Sequence, residues 1–158
     1  MSQDARKVLR KLEYGVYIVT MGRGQSGNAL TASWLTQVSS EPLMIALAVK
    51  SSHQSAQLIT DAGNFVVNLI AEGQEEFAKT FYGPAESGYR KLDGATVTDS
   101  PSSGSPILSG AVGYLDCKVV NKLDVGNHVL FIAEVAAASF NSDDAILTTT
   151  NSKLHYTG

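Results

Sequence analysis

The sequence predicts a mainly β fold, a closed barrel of about six or seven strands with helical insertions, on three observations. β-Branched and aromatic runs recur along the chain, at residues 14–20, 29–39, 43–49, 65–70, 111–123 and 128–138. Helical periodicity is confined to short stretches, with no regular β–α–β alternation. The 158 residues suffice for one core and divide badly into two, so a single domain over 1–158 is expected.

Taken in order, residues 2–12 read as a helix, with Val8, Leu9 and Leu12 at helical spacing, Asp4 early and Arg10 and Lys11 late. Residues 14–20 then form a strand. Residues 22–27 match G-x-G-x-x-G, but a dinucleotide fingerprint needs those glycines between a strand and a helix. A strand pattern follows here, so a hairpin loop is expected. Residues 29–39 read as one strand, with Leu30, Ala32, Trp34 and Val38 facing the core. Its other face carries Thr31, Ser33, Leu35, Gln37 and Ser39, more hydrogen-bonding capacity than a merely solvated strand requires.

Pro42 marks a turn into residues 43–49, which are apolar throughout. Both faces of that strand need cover, one from the core and one from a partner or cofactor. Residues 50–55 lead into a helix at 56–62, closed by Gly63. A strand at 65–70 and a helix at 74–81 follow, then an excursion at 83–110, rich in Gly, Ser and Pro, with little regular structure expected. Two long strands, 111–123 and 128–138, flank a turn at 124–127, and a weaker strand lies near 146–149.

Twelve Lys and Arg against fifteen Asp and Glu leave a net charge of −3 and no basic field for nucleic acid. The lone cysteine, Cys117, precludes an internal disulfide framework and a cysteine-based zinc site, and suits a packing role. The polar start lacks a secretory apolar segment, and no apolar run approaches the ~20 residues of a membrane span, so a cytoplasmic location is expected. His53, His128 and His155 match no metal-ligand spacing. No serine sits in a nucleophile elbow, so any enzymatic reactivity is expected to come from a cofactor.

Two places carry candidate chemistry. Residues 50–55 offer one cation, the hydroxyls of Ser51, Ser52 and Ser55, and free N–H groups at a helix start, which suit a phosphate. The same residues also fit a plain helix cap by Ser52 or Ser55. His128 stands where a turn enters an apolar strand, a position that suits either a structural role or a catalytic one at a barrel mouth.

The blocks Tyr14-Gly15-Val16-Tyr17-Ile18-Val19-Thr20 and Asn28-Ala29-Leu30-Thr31-Ala32-Ser33-Trp34-Leu35-Thr36-Gln37-Val38-Ser39 closely resemble the flavin reductase-like family of FMN-binding split barrels. So do Glu41-Pro42, Lys50-Ser51-Ser52, Phe65-Val66-Val67-Asn68-Leu69 and Gly126-Asn127-His128-Val129-Leu130-Phe131, in that order along the chain. The resemblance implies a Greek-key split β-barrel of FMN-binding type, a homodimer with flavin near the subunit interface. It implies NADH- or NADPH-dependent flavin reduction, with hydride passing from nicotinamide to flavin N5. By the same resemblance FMN would lie along residues 28–39, meeting Asn28, Thr31, Ala32, Ser33, Trp34, Gln37, Val38 and Ser39. Its phosphate would rest on Lys50, Ser51, Ser52 and Ser55, and His128 would stand near nicotinamide or flavin as the catalytic residue. The family's Asp before that histidine is Asn127 here, and its aromatic and its phosphate-loop Thr are replaced by Ser40 and Ser55. The electron acceptor implied is a monooxygenase or another protein. Alternatives are a tightly FMN-bound electron-transfer module of a larger flavoprotein system and a non-enzymatic flavin- or haem-binding split barrel.

Overall fold

The computed structural model describes residues 2–23, 27–82 and 92–156. Its strands are β1 (Tyr17–Met21), β2 (Asn28–Ala32), β3 (Leu35–Ser40), β4 (Leu43–Lys50), β5 (Asn64–Leu69), β6 (Val97–Asp99), β7 (Pro106–Leu108), β8 (Gly113–Val125) and β9 (His128–Phe140). Its helices are α1 (Gln3–Leu9), α2 (Gln54–Ala62), α3 (Glu75–Lys79) and α4 (Thr149–Ser152). Seven strands form one antiparallel sheet in the order β2-β1-β5-β8-β9-β4-β3. The mainly β expectation holds.

The sheet's two edge strands, β2 and β3, are successive in the chain and joined only by Ser33 and Trp34. Laid flat, six inter-strand spacings would hold them ~29 Å apart. The three-residue step from Ala32 to Leu35 spans at most ~10 Å. The sheet therefore curls until its edges meet at Ser33–Trp34. Among the described residues no ladder joins β2 to β3, so the barrel expected as closed is split along this seam.

That seam also corrects the single strand expected at 29–39. Before it Leu30 and Ala32 face the interior; after it Leu35, paired with Leu47, does so, and the alternation has changed phase. A bulge between Gln37 and Ser39 shifts the phase again and leaves Val38 exposed at 50%, not in the core. The interior itself is built by Val19, Leu47, Phe65, Val67, Phe131 and their neighbours, and α2 buries Ala56 and Ile59 in it. Gly63 ends α2 at φ 69°, the left-handed geometry a side chain disfavours.

A second cluster, including Ile18, Ile70, Phe81, Leu92, Leu108 and Leu147, covers the outer face of β1 and β5. Buried Asn68 pins it: its amide donates to the Ile18 carbonyl and the Thr20 hydroxyl, and its Oδ1 accepts from the Leu108 N–H. That bond places the β6–β7 hairpin, regular structure where an irregular excursion was expected; residues 83–91 lie outside the described residues. Residues 24–26 of the glycine-rich loop also lie outside them. The strand expected near 146–149 is instead two isolated bridges, Ala71 with Ile146 and Gly15 with Thr148, followed by α4 under a Thr148–Asn151 capping box. The expected first helix ends at Leu9, and Val8, Leu9 and Leu12 remain exposed.

Asp116, fully buried, accepts hydrogen bonds from the backbone N–H groups of Ser102 and Ser103 and so anchors the turn before β7. Its Oδ1 has no partner among the described residues. Asp116→Ala should lower stability by about 1–3 kcal/mol, read as a fall in the denaturant midpoint at constant slope. Cys117 beside it is buried, and burial, reinforced by Asp116, pushes its thiol up to about 12. The thiol therefore stays protonated and packs as a small apolar group.

Candidate functional site

The site assembles where β4 ends and β9 begins. Lys50 and His128 form the terminal rung of the β4–β9 ladder and project to the same, outer face of the sheet. On the other side of β9, Val125 pairs with His128 across the two-residue loop Gly126-Asn127. Gly126 holds φ 59° at the loop's first position, where tight hairpins favour glycine. The loop after β4 is tied to this turn: the Ser51 N–H and hydroxyl both donate to the Asn127 carbonyl, at 3.0 and 2.9 Å. The seam enters from the opposite edge, where the Trp34 carbonyl accepts from Ala48 N–H at 2.9 Å.

These backbone ties bring side chains into contact. The Trp34 and His128 rings lie 4.8 Å apart, tilted by 34°. Tyr156 meets Trp34 edge-on at 4.9 Å, and its hydroxyl lies 2.9 Å from His128 Nε2. Asn127 Oδ1 lies 2.7 Å from His128 Nδ1. Burial, then the charges of Lys50 and His53, hold the His128 pKa below its ordinary value, so the ring is neutral at physiological pH.

The start of α2 lies beside them. His53 is its N-cap residue, yet no side chain caps the first turn, so the capping role open to Ser52 or Ser55 is not taken. Ser51 and Ser52 are exposed, and half-buried Lys50 forms no ion pair among the described residues. A cation, an exposed hydroxyl and an uncapped helix start are the donor set of a phosphate site. Ser55, buried on the first turn of α2, faces away from solvent.

The other residues expected along the flavin are more dispersed. Ala32 and Ser33 are buried at the seam beside Trp34. Thr31 spends its hydroxyl on the Ala78 carbonyl, 2.6 Å away, on the side of α3. Asn28 stands at the far end of β2, its Oδ1 accepting from the Ala29 N–H. Gln37, Val38 and Ser39 follow along β3, roughly 10–17 Å beyond Trp34. A cavity of about 420 Å³ lies elsewhere, at the opposite end of β8 and β9, lined by Leu69, Tyr114, Phe140 and Ile146. Its lining is mainly apolar and also carries Asp143 and Asp144, so it does not compete as an anion site.

Tyr156 is the contact that sequence reasoning missed. It reaches the site because α4 is anchored to the approach of β1, by the Thr149 N–H bond to the Tyr14 carbonyl, and Lys153 turns the chain at φ 58°. Nothing in the local pattern of residues 153–156 announces that contact. No group of three or more metal-ligating side chains occurs among the described residues, and no helix there is long and apolar enough to cross a membrane.

Comparison with known proteins bears on the chain as a whole. The model of the flavin reductase-like domain matches residues 9–158. The chain is 30% identical over 135 residues to the NADH-dependent FAD reductase of Streptomyces globisporus, covering 85% of this chain and 74% of that protein. It is 29% identical over 136 residues to diflavin flavoprotein A 1 of Synechocystis, covering 85% of this chain but only 24% of that protein. The chain thus spans about a quarter of the length of the diflavin flavoproteins it matches. The solved NADH:FAD oxidoreductase of Streptomyces globisporus, in complex with NAD and FAD fragments, superposes with a TM-score of 0.84 at 25% identity, over 98% of this chain and 91% of that one.

Proposed function

The chain belongs to the flavin reductase-like family, and from that premise we propose that it is an NADH- or NADPH-dependent flavin reductase that holds FMN, or the FMN half of FAD, at the end of β4 and β9. The observation that carries the reading is the convergence of Trp34, Lys50, Ser52, the uncapped start of α2 and His128 on one patch. Lys50, Ser52 and the α2 N–H groups would take the phosphate, and Trp34 would supply an aromatic surface for the ring system. Bound there, flavin would supply the redox chemistry, with its N5 as the hydride acceptor for a reduced nicotinamide. The protein's part is to align the two rings and exclude water, with no protein nucleophile required. His128, buried and neutral, borders the reacting rings without adding charge.

A homodimer is part of the proposal. The outer face beside the site is apolar, with Leu123 and Val125 about half exposed, and a second copy would bury them. A cytoplasmic location fits a reaction that consumes reduced pyridine nucleotide, and a monooxygenase or another electron-acceptor protein would use the reduced flavin. The coverage of diflavin flavoproteins favours one second reading, a tightly flavin-bound electron-transfer module of a larger protein.

Absorbance spectroscopy with FMN or FAD, before and after NADH or NADPH, tests the reading. Nucleotide oxidation that depends on added flavin is expected. Bound flavin that no nucleotide bleaches would instead support the module, and no flavin binding at all would refute both. His128→Ala should slow flavin reduction about 10-fold or more while changing flavin affinity little; equal rates would demote His128 to a structural role.

A further inference from the structure

Both nitrogens of the buried His128 ring are engaged, and the chemistry of the partners fixes where the proton sits. Asn127 Oδ1 is a carbonyl oxygen and can only accept, so Nδ1, 2.7 Å away, carries the hydrogen. Nε2 of the neutral ring is then an acceptor, and the Tyr156 hydroxyl 2.9 Å away donates to it. We propose that Asn127 and Tyr156 are positioning residues that lock His128 as a neutral imidazole protonated on Nδ1.

His128 itself is buried at 6% exposure, while Asn127 and Tyr156 on either side of it are exposed, so the ring's protons are governed by these two partners. The surroundings agree as well. Lys50 on β4 and His53 before α2 face the ring, and both disfavour a second positive charge. β8 contributes Val125 as the opposing residue; its acid, Asp124, pairs with Val129 and so lies on the other face of the sheet. Trp34 and Tyr156 supply no carboxylate, and burial holds the Tyr156 phenol above its ordinary pKa. A ring held this way cannot deliver a proton to its neighbours. The consequence for catalysis rests on the proposed flavin site; the geometry does not.

Nitrogen NMR of the ligand-free protein tests the lock directly. The wild type should show His128 as the Nδ1–H tautomer, titrating below the ordinary ~6.5. N127D, close in shape, places a carboxylate on Nδ1 and should raise that midpoint by about one pH unit or more. Y156F keeps the ring but removes the donor, and should move the Nε2 resonance toward that of an unbonded ring nitrogen. An Nε2–H tautomer in the wild type, an unmoved midpoint in N127D, or an unmoved Nε2 resonance in Y156F would overturn the proposal. In flavin-reduction assays the wild-type rate should stay flat above the ordinary histidine range, from about pH 7 to 8, while N127D acquires a pH dependence there. NMR as expected with identical rate profiles would uphold the lock and remove His128 from the proposed reaction.

Discussion

Replacing Phe131 by alanine should lower the unfolding free energy by about 3–5 kcal/mol and the melting temperature by roughly 10 °C. Phe131 is fully buried in the interior cluster. Its strand is held on both sides, with Leu47 opposite on β4 and Lys122 opposite on β8. β9 therefore cannot shift inward to fill the space that a missing ring would leave, and the site stays at the costly end of the range. Leu123→Ala is the control, since Leu123 is 47% exposed and should cost under ~1 kcal/mol. Denaturant unfolding at constant slope measures both. A Phe131→Ala loss no larger than the control's would mean that the curled sheet does not enclose a close-packed interior.

The strands beside that interior were legible because periodicity reports burial. Residues 43–49 and 128–138 alternate or run apolar, and both became long strands of the observed sheet. Gly63 and the hairpin before His128 were legible for a local reason, the backbone geometry that glycine permits. The seam at Ser33–Trp34 was not legible, because a change of phase inside one β-rich run looks like continued alternation until a pairing partner is known. The β6–β7 hairpin was hidden for a related reason. It is held by Asn68, some forty residues earlier in the chain, and not by any pattern of its own. At the site, Lys50, Ser51 and His128 were found one by one, but their contact is a product of ladder register. Tyr156 and the hydrogen-bonding role of Asn127 arise from the same long-range placement.

Ser52→Asp should weaken FMN binding about 30-fold or more, equivalent to ~2 kcal/mol. Ser52 is exposed in the loop between Lys50 and the uncapped start of α2, so the new carboxylate would stand where the phosphate is proposed to bind. Two like charges about 5 Å apart repel by ~3 kcal/mol at an effective dielectric of 20, and the phosphate carries more than one charge. Salt screens part of this, so the penalty should shrink between about 0.05 and 0.5 M ionic strength. Ser51 is the poorer choice for the test, because its hydroxyl secures the loop to the Asn127 carbonyl and its loss would disturb His128 as well. Folding should not suffer: a carboxylate beside a helix N-terminus is neutral to stabilising by about 0.3–1 kcal/mol. Riboflavin, which shares the ring system but lacks the phosphate, should bind the variant as it binds the wild type. If both ligands weaken equally, the loop shapes the pocket without holding phosphate. If neither weakens, the phosphate lies elsewhere, and the convergence of Lys50, Ser52 and α2 loses its assigned role.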